Sequence, residues 1–361
     1  MMATPRMRAL AAAAILLAIA VPFVGSDYLI GLLFTTFLFV GMAYGWNLIS
    51  GYTAYVSFGQ ISFFGIGAYA VAILVSKLSW AWPFAVLAGA GAAALIAAPL
   101  GWAMLRLRGP YFALGMLGFV QVLYMLASSW SSLTKGGEGI YLPPAGNLRP
   151  LYYAAASMVA AAIAVTWAID RSAFGLRLRS IGEDEIAAEA MGVHTTRSKL
   201  AAFVLASTLP AMAGGLYAFR LSYVDPSSAF PASYEVQVIL MAIFGGAGTV
   251  WGPLLGGVVL SAVAEALWAR FAELHLLLFG LFIVVVLRYM PEGFVPLLRR
   301  RAAAAAIRKD ARRPPRSSRY ATSPGRSAGS VPCPTSRSRC RTGRSSASSA
   351  PTARGRRRSS T

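Results

Sequence analysis

The segment RLRSIGEDEIAAEAMGVHTTRSK, residues 177–199, is the one long, charged and helix-forming stretch in an otherwise apolar chain. Ser180 and Glu183 have the spacing of a capping box, in which a hydroxyl and a carboxylate satisfy the first free N–H groups of a helix. Glu183, Asp184 and Glu185 then lie in the first turn, where the helix dipole favours negative charge, and Gly192 can adopt the left-handed conformation that ends a helix. These features predict a helix of about three turns between Ser180 and Gly192.

This helix is too polar to cross a bilayer, and apolar segments flank it on both sides. We therefore expect a short helix held at the membrane surface, with small residues that suit docking into a groove of a soluble partner. A solvated connecting loop that happens to be helical is the alternative interpretation. The residues assigned to the partner contact are Ser180, Glu183, Asp184, Glu185, Ala187, Ala188, Met191 and Gly192.

The composition is that of a membrane protein. Hydrophobic residues make up 57% of the chain and charged residues 13%, whereas soluble domains carry about 25% charged residues. Several windows reach the roughly 20 apolar residues that cross a bilayer core. Both cysteines lie near the C-terminus and the two histidines, His194 and His275, are far apart, so no disulfide framework or metal site is expected.

Apolar runs predict a series of membrane spans, and Lys and Arg mark their cytoplasmic ends. By this rule the segment 177–199 lies on the cytoplasmic side. So do Arg106, Arg108 and both termini. Residues 9–24 are interpreted as the first span, with a cleaved signal peptide as the alternative. The predicted spans are 9–24, 29–49, 51–76, 82–105, 111–130, 151–169, 200–219 and 274–290, with outer loops at 131–150 and 221–234.

Residues 236–268 are too long and too rich in glycine for one simple span. A single crossing would leave the basic cluster at 299–301 outside, against the positive-inside rule. We therefore expect two short crossings that meet near GGAGTVWGP, residues 245–253, or a segment that dips in and returns. Broken helices of this kind often line a solute route, because non-helical backbone at membrane depth must face protein or water.

A polar side chain at membrane depth tends to face protein or a cavity, and Gln60 lies in a glycine-rich apolar span. We predict that it lines a path, although a hydrogen bond to a neighbouring helix would equally explain it. The residues assigned to this path are Gly59, Gln60, Gly65, Gln121, Gly245, Gly246, Gly248 and Thr249.

The net charge of +20 is concentrated at the C-terminus, where residues 302–361 carry 15 Lys and Arg and one acid. This Arg/Ser/Pro-rich tail cannot bury enough apolar surface to fold, so we predict a disordered tail beside a permease domain at 1–301. Binding of anionic lipid or of nucleic acid by this basic tail is an alternative interpretation, and the latter would make the chain a membrane-anchored nucleic-acid binder. No nucleic acid partner is expected, because no aromatic residues are interleaved for base stacking. Translation of out-of-frame, GC-rich DNA would also produce such a composition.

Five ordered blocks closely resemble the M-type membrane subunit of branched-chain amino acid ABC importers. The resemblance covers about residues 28–298 and leaves out the tail. The blocks are GYTAYVSFGQISFFGIGAYA (51–70), LRLRGPYFALGMLGF (105–119), TKGGEGI (134–140), FGLRLRSIGEDEIAAEAMGV (174–193) and GGAGTVWGPLLGG (245–257).

The resemblance implies an all-α bundle of about ten helical segments, like the membrane subunit of the vitamin B12 importer, a type II ABC importer. It implies a second permease subunit, two cytoplasmic ATPase subunits and an extracytoplasmic binding protein, assembled at the bacterial inner membrane. The surface helix is then similar to an ABC coupling helix, with Ala187 and Ala188 ahead of Gly192. In the general motif Glu directly precedes the Ala pair, where this chain has Ile186, and Leu-Pro follows sooner than Leu209–Pro210 does here.

Four residues depart from what many members of that family have, namely Ala54, Tyr55, Gln60 and Met116. The expected substrates are therefore branched-chain or related small amino acids, with urea, amides and other small carboxylic acids as alternatives. The chain has no G-x-x-x-x-G-K-[ST] motif, so we expect no ATPase activity of its own.

A stand-alone secondary transporter is a further alternative, since such proteins place ionisable residues inside their spans. Glu265 is the main acid that we place near a span interior. Asp27, Asp170 and Glu273 fall at the edges of spans, and this scarcity favours an importer subunit driven by a separate motor.

Overall fold

A computed structural model describes most of the chain from residue 26 to residue 270. The first predicted span, nearly all of the last one, the basic cluster at 299–301 and the tail lie outside the described residues. Those assignments, and the domain boundary at 301, stay predictions. The described residues are 22, 26–107, 109–144 and 146–270, together with the isolated positions 274, 277, 280, 281 and 288.

The described part of the chain is almost entirely helical, and seven of its helices are long and apolar enough to cross a membrane. This confirms the predicted polytopic helical bundle. The longer helices are α1 (Asp27–Trp46, extended by a π-helix, Asn47–Gly51), α2 (Gln60–Leu78), α3 (Trp82–Met104), α4 (Pro110–Ser129), α6 (Leu148–Arg171), α9 (Thr195–Leu221), α11 (Ala232–Gly245) and α12 (Gly252–Arg270). The shorter elements are α5 (Ser131–Thr134), a 3-10 turn (Gly136–Glu138), β1 (Ile140–Tyr141), α7 (Ala173–Glu183), α8 (Glu185–Ala190), β2 (Tyr223–Val224) and α10 (Pro226–Ala229).

Helix α1 lies at the centre of the bundle and packs against α6, α9, α11 and α12. Helix α9 packs in turn against α2 and α3. Helices α2 and α9 touch backbone to backbone, since a Cβ on Gly67 would lie 2.0 Å from the carbonyl oxygen of Ala211. Small residues permit such close approach where no hydrophobic effect drives helices together in lipid.

The predicted span at 51–76 begins later than expected, because α2 starts only at Gln60. The preceding residues 52–59, termed the connector, leave the helix at Ala54, whose φ of 58° is left-handed. The indole N–H of Trp46 donates to the Ser57 carbonyl at 3.0 Å, and the Ser57 N–H donates to the Ser50 hydroxyl at 3.0 Å. These bonds satisfy backbone groups that a continuous helix would have paired.

The prediction that residues 236–268 are broken is confirmed. Helix α11 ends at Gly245, residues 246–251 form an irregular turn, and α12 begins at Gly252. A Cβ on Gly245 would lie 1.8 Å from the Gly252 carbonyl oxygen, and one on Gly256 would lie 1.9 Å from that of Met241. The two helices therefore run antiparallel in close contact, and the chain reverses as the charge argument required.

The two predicted outer loops meet in a small antiparallel sheet. Strand β1 pairs with β2 with Ile140 opposite Val224 and Tyr141 opposite Tyr223. The segments at 131–150 and 221–234 consequently lie at the same end of the bundle, as the prediction that both are outer loops requires.

Candidate functional site: the surface helix and the broken spans

The predicted surface helix exists, but it starts elsewhere, and the capping box at Ser180 and Glu183 is wrong. Ser180 lies inside α7, where its hydroxyl donates to the Arg177 carbonyl at 2.8 Å. Asp184 is extended (φ −156°, ψ 112°) and accepts from the N–H groups of Ile186 at 2.9 Å and Ala187 at 3.1 Å. Asp184 is thus the true N-cap, and the predicted three-turn helix is the six-residue α8.

The break between α7 and α8 lies next to the point where α7 packs closely against the connector. A Cβ on Gly182 would lie 2.7 Å from the Tyr52 carbonyl oxygen, so α7 meets the connector backbone just before its end. At the other end of α8, Gly192 has a φ of 85°, as predicted for a closing residue. The Val193 N–H then donates to the Ala188 carbonyl at 3.0 Å.

Two apolar side chains of this segment point away from the protein. Ile186 is 68% exposed and Met191 is 85% exposed, and Ala187 between them is exposed as well. Ala188, by contrast, is buried against the protein. The outward apolar face therefore consists of Ile186, Ala187 and Met191, and Ala188 packs the helix onto the bundle.

Glu185 holds α8 in place through a buried ion pair. Its Oε1 lies 2.5 Å from Nζ of Lys199, a residue that is 2% exposed, and its Oε2 accepts from the Tyr55 hydroxyl. Lys199 Nζ also donates to the Tyr55 oxygen at 3.1 Å. The three side chains join α8, the N-terminal part of α9 and the connector, so Glu185 acts as an anchor on the side of α8 that faces the protein.

A second link joins the connector to α6 and α7. The Tyr52 hydroxyl donates to Oδ1 of Asp170 at 3.2 Å, and Arg179 of α7 pairs with the same oxygen. Burial and the Asp170 charge raise the pKa of Tyr52 above its ordinary value, so the phenol stays protonated and remains a donor. Tyr55 is thus bonded to the helix that carries the exposed apolar face, and Tyr52 is bonded to the end of α6, beside Arg179 of α7.

The predicted path residues fall into different surroundings. Gln60 is 1% exposed, and its side-chain oxygen has no hydrogen-bond partner among the described residues. Gly59, Gly65, Gly245 and Gly246 are also buried, Gly248 and Thr249 are half-buried, and Gln121 is exposed on α4.

The turn between α11 and α12 is bound to the C-terminal end of α1, where the π-helix extends it. Asn47 accepts from the Gly248 N–H at 2.8 Å and donates to the Thr249 carbonyl at 3.2 Å. Gln60 packs beside Gly45, whose Cβ would lie 3.2 Å from the Gln60 oxygen. The glutamine and the turn therefore lie against the same end of α1, as expected for two parts of one region.

Glu235 belongs to this region and was missed by the sequence analysis. It is 3% exposed, and its two oxygens accept from the backbone N–H groups of Gln60 at 3.2 Å and Ile61 at 2.7 Å. The carboxylate thus caps the N-terminus of α2, for which Gly59 supplies no side chain. An acid next to the apolar run VQVILM was the available signal, since charges at membrane depth mark functional positions.

Helix α4 is the least covered of the long helices. Of its 20 residues, only Phe112, Met116 and Ala127 are buried. Gln121, in the middle of this apolar helix, is exposed together with Leu117. A polar side chain at that depth is costly against lipid, which indicates that another protein surface or water covers this face.

Comparison with known proteins identifies one family. Residues 28–287 match the family described as the branched-chain amino acid transport system permease component. The high-affinity branched-chain amino acid transport system permease protein LivM of Salmonella typhimurium is 28% identical over 322 residues, which cover 80% of this chain and 74% of LivM. LivM of Escherichia coli is 28% identical over 319 residues, with the same two coverages. The permease protein LivH of Salmonella typhimurium is 26% identical over 290 residues, or 70% of this chain and 90% of LivH. No solved structure matches the chain.

Proposed function

Because the chain belongs to the branched-chain amino acid transport system permease component family, we propose that it is the membrane subunit of an ATP-driven importer. In this role it carries branched-chain or related small amino acids across the bacterial inner membrane, with both termini in the cytoplasm. The names of its LivM and LivH relatives support the substrate class.

The observation that carries the proposal is the construction of α8. Its inner side is held by the buried Glu185–Lys199 pair, and its outer side presents Ile186 and Met191 to the surroundings. A rigidly held helix with an exposed apolar face suits insertion into a groove of a soluble partner. The chain has no P-loop motif of its own, so the partner in this proposal is one of two separate ATPase subunits.

The open face of α4 supports a second permease subunit. Gln121 and Leu117 lie exposed on this helix, and an interface or a water-filled path would remove the cost of placing Gln121 in lipid. LivM and LivH, both similar to this chain, are permease proteins of one named system, which favours a heterodimer. An extracytoplasmic binding protein would deliver the solute at the end of the bundle that carries β1 and β2.

The solute path is proposed to run beside the inner end of α1, between Gln60 and the turn at 246–251. An uncharged group such as Gln60 can contact a zwitterionic solute without holding it tightly, and selectivity can then reside in the binding protein. The orphaned oxygen of Gln60 and the amide-rich turn supply hydrogen-bonding groups at this depth.

The test is reconstitution of the chain with a permease, an ATPase pair and a binding protein of the same transport family from the same organism. We expect ATP-dependent uptake of labelled leucine, isoleucine or valine into proteoliposomes, and no uptake without the ATPases. Urea and amides serve as competing substrates. Uptake that persists without the ATPases and follows an ion gradient would instead support a secondary transporter.

A further inference from the structure

Glu235 is the one carboxylate among the described residues that lies buried in a helical segment apolar and long enough to cross a membrane, here Pro226–Gly245, without a cation beside it. Its charge is compensated by two backbone N–H groups at the start of α2, 175 and 174 residues away in sequence. Hydrogen bonds from backbone N–H to a carboxylate are among the stronger ones in proteins. The positive end of the α2 dipole adds to this stabilisation. A charge this costly to bury calls for a role beyond filling space.

We propose that Glu235 is a positioning residue for transport, which fixes the membrane end of the connector so that movement of the surface helix reaches the solute path. The inference rests on the proposed function. It assigns a role to Glu235, which is neither among the residues predicted to contact the ATPase nor among those predicted to line the solute path.

The geometry gives the connector two anchors. At its cytoplasmic end, Tyr55 is bonded to Glu185 and Lys199, directly behind the exposed face of α8. At its membrane end, the next residues after the connector, Gln60 and Ile61, are bonded to Glu235. The connector contains only eight residues, at 52–59, so a displacement of α8 must be taken up between these two points.

Helix α11 provides the fixed side of the second anchor. It carries Glu235 near its start and leads into the turn at 246–251, which is bonded to Asn47 of the π-helix that extends α1. Helix α11 also packs against α1, and glycine residues bring it into close contact with α12. Glu235 is therefore the hydrogen-bonded link through which α11 resists a pull on the connector. Without that bond, α8 could move with the ATPases while the path stayed closed.

The experiment uses the complete transporter in proteoliposomes and measures amino acid uptake and ATP hydrolysis together. In Glu235→Gln the side chain keeps its size, but one oxygen becomes an NH2 group that cannot accept an N–H bond. We expect substrate-stimulated ATP hydrolysis within about twofold of the unsubstituted protein, and at least a tenfold lower number of molecules imported per ATP, in line with the loss of one charge-assisted bond. Glu265→Gln is the matched control, since Glu265 lies on the adjacent α12, binds Tyr28 and does not contact the connector. Glu265→Gln should leave the number of molecules imported per ATP unchanged.

A second set of variants distinguishes the proposed positioning role of Glu235 from a merely structural one. If Glu235 and Tyr55 act through the same connector, the double variant Glu235→Gln/Tyr55→Phe should lose no more coupling than the more severe single variant. Should Glu235→Gln fail to assemble, Glu235→Asp keeps the charge with a shorter reach. The proposal then requires Glu235→Asp to assemble with reduced import per ATP.

An import-to-ATP ratio in Glu235→Gln equal to that of the unsubstituted protein would overturn the proposal. So would an equal loss in Glu265→Gln, additive losses in the double variant, or failure of both Glu235 variants to assemble. If the unsubstituted complex imports no amino acid, the proposed function fails instead, and the two failures are distinct.

Discussion

Nζ of Lys199 lies 2.5 Å from Oε1 of Glu185, with both side chains largely withdrawn from solvent. The pair fastens a six-residue helix, too short to be stable alone, to the N-terminal part of a long membrane helix. Removing one partner of a buried pair leaves an uncompensated charge, which typically costs about 3–5 kcal/mol. The stability of the surface helix therefore depends on a contact 14 residues along the chain.

Lys199→Met should accordingly lower the thermal unfolding temperature of the purified protein and abolish ATP-driven uptake. Because both charges are then removed, Glu185→Gln/Lys199→Met should recover part of the stability. The control is Arg179→Met at the more exposed Asp170 pair, where about 1 kcal/mol or less is expected. Equal destabilisation by Arg179→Met and Lys199→Met would contradict this assignment.

Met191→Asp should separate docking from folding. Met191 is almost fully exposed, so a surface substitution there should change the free energy of unfolding by no more than about 0.5 kcal/mol. Association with the ATPase subunits should nevertheless fall, because a carboxylate would replace an apolar contact. Co-purification of the ATPases measures the effect, with the similarly exposed Tyr141→Asp at β1 as control. Normal co-purification with Met191→Asp would rule out this face as the motor contact.

Gly192→Val tests the end of the surface helix by backbone strain alone. A Cβ at Gly192 would meet no atom within 4 Å, but the φ of 85° is strained for any other residue. We expect a cost of about 1–3 kcal/mol and weaker coupling of hydrolysis to uptake, with normal membrane insertion. Ala188 is less informative for docking, because it is buried and a bulky charge there would also disturb packing. Unchanged coupling in Gly192→Val would show that the closing turn is dispensable.

Gln60→Leu distinguishes a path residue from a packing residue. The Gln60 oxygen is buried without a partner among the described atoms, so leucine of similar volume should keep stability or raise it by about 1 kcal/mol. If Gln60 contacts the solute, uptake should fall although assembly and basal ATP hydrolysis stay normal. Full uptake, together with a cysteine at this position that never reacts in any transport state, would leave only the packing interpretation.

Cysteine labelling from outside tests the orientation of the bundle. Cysteines introduced near Arg106, Glu183 and Arg299 should be protected from an impermeant thiol reagent, and one at Glu138 should react. Glu138 is exposed in the loop that pairs with β2, whereas Arg299 lies outside the described residues. Labelling at Arg299 would show that an even number of crossings follows α9, against the positive-inside rule.

Local sequence determined the helical bundle and most helix limits. Apolar run lengths placed a span at 82–105, where α3 covers Trp82–Met104, and glycine spacing predicted the break between α11 and α12. Gly192 closed its helix as predicted because a positive φ is a property of one residue and its immediate neighbours. These features depend on interactions within a few residues, so they can be derived from the chain alone.

Tertiary structure decided where the surface helix starts and what holds the broken spans. Ser180 and Asp184 could each cap a helix, and the start falls at Asp184, just after Gly182 meets the Tyr52 carbonyl. Likewise, hydropathy cannot tell which buried acid will meet which free N–H group. Glu235 reaches Gln60 and Ile61 only because α11 packs beside the start of α2. Hydrophobic patterns report how much of a helix is apolar, whereas the pairing of its few polar groups is fixed by the packing of distant helices.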